Sequence, residues 1–198
     1  LDMKESVTDD GHHTAAGRVL ARCSQDAYEQ EYLKGIEFYR FLNDLLSNFE
    51  ERKESLVSKL QALSREIFVK ERTILSVTCG QQALEPLGQA CAPFFAMIPD
   101  VRTEDAPRIY APVQGNEAFR TASKVQYVAA GGNFAAHGFV YSGAMQVLRS
   151  YLNTEYLWIR LRVKGGAYGC MSMFNWNGSA AFASYRDPNL QKTLEVYR

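Results

Sequence analysis

Asn177-Gly178 divides two short stretches, AYGCMSMFNW and SAAFASYR, and no other feature of this sequence restricts its fold so tightly. Asn-Gly is the strongest short hairpin signal, so the flanking stretches are expected to be antiparallel strands of one hairpin. Just upstream, LRVKGGAYGC carries the adjacent glycines Gly165 and Gly166, with Gly169 three residues on. A helix arriving from the N-terminal side can end there, because glycine tolerates the left-handed conformation of a C-cap. Helix, glycine corner, strand, turn and strand therefore follow one another within about forty residues. That order points to a layered α+β arrangement rather than a bundle.

The rest of the chain fits such a layer. Within 28–49, Tyr32, Ile36, Tyr39, Leu42, Leu46 and Phe49 recur at helical spacing, and Leu56, Leu60, Leu63 and Ile67 do so in the next segment. The charged run Glu50 to Glu54 is expected to break the two apart. RTILSVTC (72–79) is short and β-branched, and reads as a strand ended by Gly80. Residues 81–97 suit a helix that Pro86 opens or bends, 99–122 read as loop, and SKVQYVAAGG (123–132) reads as a second strand. Ser142 is placed to cap a helix whose buried face comprises Ala144, Val147, Leu148, Tyr151 and Leu152, continuing through Leu157 and Ile159. At the end, Asp187 is expected to cap a last helix with Pro188 at its first position and Leu190, Leu194 and Tyr197 on one face. The expected class is α+β, helices packed on one face of a mainly antiparallel sheet.

Composition removes several functions. Twenty-two Lys and Arg balance twenty-two Asp and Glu with no basic block, so neither nucleic acid nor an anionic membrane is an expected partner. No apolar run approaches the roughly 18–20 residues that span a bilayer. The opening LDMKESVTDDGHHTAAG lacks a signal pattern and reads as the interior of a longer chain. Cys23, Cys79, Cys91 and Cys170 are scattered without a C-x-x-C pair, and are expected to be buried, reduced thiols in a reducing compartment.

Catalytic signatures are scarce. His12 and His13 are neighbours that would point about 100° apart on a helix, and His137 lies far along the chain, so no metal site is expected in this segment. Neither H-x-x-E-H, H-E-x-x-H nor G-x-S-x-G occurs. A phosphate cradle needs its glycines after a strand and before a helix, and here the order is reversed. What remains is the corner, which brings Arg162 from a last helical turn close to Tyr168 at the start of a strand. An arginine there also complements the helix dipole, so a structural role and a functional one both stand on the residues alone.

KVQYVAAGGNF, LWIRLRVKGGAYG and GSAAFASYRDPNLQKTLEVY, in that order, resemble the C-terminal half of the pitrilysin/insulinase family of zinc metallopeptidases, in its presequence-protease branch. GHHTAAGRVLARCS and GIEFYRFLNDLLSNFEERKESLVSKL resemble the join between that branch's last two domains. The resemblance implies a two-half enzyme closing around a peptide chamber. Its zinc would be bound by the N-terminal half, absent here, which would also be this segment's partner. Residues 1–52 would complete one domain and 53–198 form most of the last. By motif match, Arg162 and Tyr168 would reach the active site, gripping the substrate backbone and stabilising the transition state. Gly165, Gly166 and Gly169 would form the structural corner that aims them. The substrates would be unfolded or short peptides, in a bacterial cytoplasm or an organelle matrix, and this segment alone would be inactive. A noncatalytic assembly subunit or a peptide-binding domain of the same fold is the alternative.

Overall fold

A computed structural model describes residues 9–101, 107–112, 114–122 and 124–198. The expected loop at 99–122 and the first residue of the expected strand at 123–132 fall partly outside these. Two compact units form, one from residues 1–44 with 109–198 and the other from 45–108.

The first unit begins with α1 (Gly11–Leu20), α2 (Gln25–Lys34) and most of α3 (Ile36–Ser47), whose residues from Leu45 on belong to the second unit. Ser24 caps α2 by accepting from the Ala27 N–H. The single helix expected over 28–49 is thus broken at Gly35, whose φ of −90° and ψ of −162° leave the helix. Only Ile36 of the predicted stripe is buried; Tyr32 and Leu46 lie exposed. Arg18 of α1 reaches Glu31 at 2.8 Å, Glu37 at 3.0 Å and Glu117 at 2.7 Å. Burial works against its charge, but hydrogen bonds to Glu117 and Glu31 outweigh that and hold the guanidinium more firmly protonated. The same bond from Arg18 holds the Glu117 carboxyl below the usual range.

The sheet has three strands, β1 (Ala129–Asn133), β2 (Gly169–Phe174) and β3 (Ser179–Tyr185), all antiparallel in the order β1-β3-β2. The hairpin expected at Asn177-Gly178 is present, with Gly178 at φ 88° and the Asn177 side chain accepting from Ser179 N–H and Oγ. The second strand is shorter than expected, because before Ala129 only Gln126 bridges to Asp187. Alternate rows face opposite ways. Ala130, Phe182 and Ser172 share one face; Gly131, Ala181 and Met173 share the other. The helices that follow β1 lie on the first face, where Leu157, Leu161 and Ala167 are buried with Phe182, Cys170 and Tyr197 around them. Tyr197 stacks on Phe182 at 5.5 Å and donates to Val128 O, and burial pushes its phenol far up. The opposite face is covered by α1, with Val19 against Gly131. The α+β class holds.

In the second unit, α4 (Phe49–Ile67) and α5 (Gln81–Met97) flank a three-residue 3-10 turn, Lys70–Arg72. The charged run expected to break the helices is instead the first turn of α4, where Glu50 and Glu51 complement the helix dipole. Pro86 lies inside α5, as does Pro93. The strand expected at 72–79 does not form: 73–80 has no ladder partner among the described residues, and Ile74 is almost wholly exposed. Cys79 lies on this stretch and is exposed, while Cys23, Cys91 and Cys170 are half-buried, so none is the fully buried thiol expected. All four are free.

Candidate functional site

The helix leading to the glycine corner starts at α6 (Gly143–Tyr151), with Ser142 at its N-cap position but no capping bond from its side chain. It continues as two π-helical stretches, Leu152–Tyr156 and Trp158–Val163. Such wide turns are rare, and they shift every following side chain around the axis. Of the expected buried face, Leu157 enters the core together with Leu161, whereas Val147, Leu148 and Tyr151, all before the π-turns, are exposed.

Three backbone bonds close this helix. Lys164 N–H donates to Ile159 O at 3.0 Å, Gly166 N–H to Arg162 O at 3.0 Å, and Ala167 N–H to Leu161 O at 2.9 Å. The last two each span one residue more than in a Schellman cap, as a cap following a π-turn must. Gly166 has φ 81°, and a Cβ at Gly165 would meet Leu161 O at 2.5 Å. Those two positions require glycine. Gly169 does not, since a Cβ there would sit 3.8 Å from Tyr185 Cβ. Asn189 Nδ2–H donates to Gly165 O at 2.6 Å, and Pro188 packs over Gly166, so the R-x-K-G-G-A-Y-G and S-Y-R-D-P-N blocks form one corner.

Arg162 and Tyr168 come together at this corner. The Arg162 guanidinium carbon lies 5.4 Å from the Tyr168 ring centre and 4.2 Å from that of Trp158. Tyr168 is 61% exposed, standing out where Ala167 beside it turns in. Neither Arg162 nor Arg186 forms an ion pair among the described residues. Burial pushes the nearby Cys170 thiol up, and the Arg162 field works the other way. A donor phenol beside an unpaired guanidinium, at the surface, can hold a carbonyl or carboxylate oxygen.

Two residues of the corner escaped sequence reading. Trp158 sits four residues before Arg162 on the same helix, a spacing that could have flagged it. Arg186, at φ 47°, places its guanidinium 5.9 Å from Tyr168 and 5.3 Å from Tyr185. Its only sequence signal was the turn-forming Asp-Pro that follows. The expected separation of His12 and His13 also fails. Their rings lie 4.2 Å apart, and with Asp10 their ligand-type atoms fall within 4.8 Å of one another. His137 sits apart, on the 3-10 turn Ala135–His137. Strand β2 is an edge, but Asn153 Oδ1 accepts from both the N–H and the hydroxyl of Ser172, so a peptide pairing there would have to displace it.

Residues 116–198 match the family model of the PreP C-terminal domain. Protein HypA of Clostridium perfringens is 33% identical across 98% of this chain and 20% of its own length. Presequence protease 1, chloroplastic/mitochondrial, of Arabidopsis thaliana is 30% identical across 98% of this chain and 18% of its own. The mitochondrial presequence protease of Yarrowia lipolytica is 27% identical across 98% and 20% respectively. The chain spans about a fifth of the length of these relatives. No helix among the described residues is long and apolar enough to cross a membrane. This segment is homologous to the C-terminal region of the presequence proteases.

Proposed function

We propose that this segment is the noncatalytic C-terminal part of a two-half zinc-dependent peptidase. It encloses unfolded or short peptides and lends Arg162 and Tyr168 to an active site in the N-terminal half. The observation that carries this reading is the exposed Tyr168, whose ring centre lies 5.4 Å from an Arg162 guanidinium that has no ion pair among the described residues, at a backbone corner fixed by Gly165 and Gly166. Arg162 offers several rigidly arranged donors for a backbone carbonyl of the substrate. Tyr168 can donate its O–H to the scissile carbonyl oxygen as negative charge collects there, and a preorganised donor of this type contributes about 2.7–4 kcal/mol.

The residues of this chain do not fit the catalytic metal. No H-x-x-E-H occurs, and the Asp10, His12 and His13 grouping has no glutamate placed as a base between paired histidines. The zinc of this reading therefore belongs to a region outside this chain. The compartment proposed with this reading is a bacterial cytoplasm or an organelle matrix.

The test uses the intact peptidase. Tyr168→Phe should lower kcat about 100- to 1,000-fold, as loss of an oxyanion donor does. Arg162→Ala should lower kcat/KM with zinc content unchanged in both variants. Full activity in both would remove the assignment.

A further inference from the structure

Arg186 is the one residue other than glycine with positive φ among those described, at 47°. An L-residue rarely holds that conformation, and here it turns the side chain back over the end of the sheet. The guanidinium settles against two rings, 5.3 Å from Tyr185 and 5.9 Å from Tyr168. Arg162 approaches Tyr168 as well, at 5.4 Å. One exposed phenol thus has two guanidinium groups against it.

The carboxylate best placed in sequence to offset them is turned away. Asp187, next to Arg186, is 1% exposed. One of its oxygens accepts from Asn189 N–H at 2.8 Å and the other from Thr193 Oγ at 2.6 Å. Neither arginine has an ion pair among the described residues, and their guanidinium carbons lie 5.4 and 5.9 Å from the Tyr168 ring centre, so positive charge gathers around this exposed phenol. Such a spot attracts an anion, and two planar guanidinium forks with a phenol donor suit a flat, two-oxygen acceptor. A peptide carries that group in two places, at its C-terminus and on Asp or Glu side chains.

We propose that Arg186 is a specificity-determining residue which, together with Arg162, holds a carboxylate of the bound peptide over Tyr168. This rests on the peptidase reading for the nature of the ligand, and it adds a preference that the reading does not contain.

The experiment uses the intact protein and two pairs of otherwise identical peptides. One pair differs as C-terminal carboxylate against carboxamide, the other as an internal Glu against Gln. The parent should favour the carboxylate member of one pair about tenfold, mainly through KM, as expected for a charge-assisted contact; the pair that responds identifies which carboxylate is held. Arg186→Gly keeps the positive φ without strain and should bring that ratio to about one. Arg186→Lys keeps the charge without the fork and should give a ratio between the two. Thermal melting confirms that the variants are folded. Equilibrium binding of the same peptides, followed by fluorescence anisotropy, reads the preference without turnover, so failure of the peptidase reading stays distinguishable. Equal treatment of both members of both pairs by the parent would overturn the proposal. So would a preference that survives in Arg186→Gly, or the absence of binding to any of the four peptides.

Discussion

The Arg162 guanidinium lies 4.2 Å from the ring centre of Trp158, one helical turn earlier, with its charge over an indole that is 42% exposed. A long side chain with no ion pair would otherwise sample many rotamers at the surface. The indole restrains it on the side that faces Tyr168. A cation on an exposed indole gains about 0.5–1 kcal/mol. Under the proposed peptidase role, Trp158→Ala should therefore lower kcat/KM of the intact protein about two- to fivefold, while Trp158→Phe recovers part of that. Because Trp158 is outside the core, the melting temperature of both should match the parent. An effect on melting equal to the effect on turnover would show the indole to be structural only.

The corner itself makes a sharper distinction. Gly166→Ala places a Cβ in the left-handed region, which costs about 1–2 kcal/mol. Gly165→Ala drives a Cβ against the Leu161 carbonyl, a backbone atom that cannot move without disturbing a core residue, and such overpacking costs about 1–3 kcal/mol. Gly169→Ala meets nothing closer than ordinary van der Waals contact. Chemical denaturation of the three variants should rank the first two as destabilised and leave the third near the parent.

The same corner shows how far the sequence could be read. Asn177-Gly178 and the glycine pair state local conformations that no distant contact overrides, so the hairpin and the helix end were legible. The antiparallel class followed from them. On the helix of 143–163, Leu157 is buried as its spacing predicts, but Val147 and Tyr151, which precede the π-turns, are exposed because periodicity places an apolar face without supplying a neighbour to cover it. The π-turns bear only on the residues that follow them, where Leu161 rather than Ile159 enters the core. RTILSVTC failed for another reason: β-branched composition marks a chain able to be a strand, but a strand exists only with a ladder partner. The exposed Leu60, Leu63 and Ile67 on α4 teach the same lesson for helices, since periodicity locates the apolar face without naming its cover. Arg186 was invisible because its position depends on a positive φ that an arginine does not announce.

Asp187 was expected as a helix cap, yet α7 (Gln191–Tyr197) starts four residues later. Its carboxylate instead gathers the turn before the helix, through Asn189 N–H and Thr193 Oγ–H. Asp187→Ala would leave the buried Thr193 hydroxyl unpaired, at about 1–3 kcal/mol, and the half-buried Asn189 N–H unpaired at less, so a loss of about 2–4 kcal/mol is expected. Asp187→Asn retains an acceptor and should lose less. Thr193→Val in the Asp187→Ala background should cost less than in the parent, because its partner is already gone. Denaturant melts of the four proteins form a double-mutant cycle, and additive losses would contradict the bond.

His12 gives the fold a pH dependence whose sign can be worked out. Its side chain is 13% exposed, edge-on to Tyr185 at 4.6 Å, and Nδ1 is buried without a hydrogen-bond partner. Burial lowers its pKa, the neighbouring His13 lowers it further, and Asp10 at 3.7 Å opposes both only in part. In the unfolded chain a histidine titrates at about 6.5. Below that pH, and down to the lower value in the fold, the unfolded state binds the extra proton, so stability rises with pH across this window. The contribution of a neutral His12 is complete above about pH 6.5 and is lost as pH falls through its folded pKa. Melting temperature should decline as the pH drops from neutral towards 5, and His12→Gln, which cannot take up a proton, should flatten that decline. The lowered Glu117 carboxyl acts in the same direction but only in the more acidic carboxylate range, so the two contributions separate along the pH axis. A decline between neutral pH and 5 that is as steep in His12→Gln as in the parent would place its origin elsewhere.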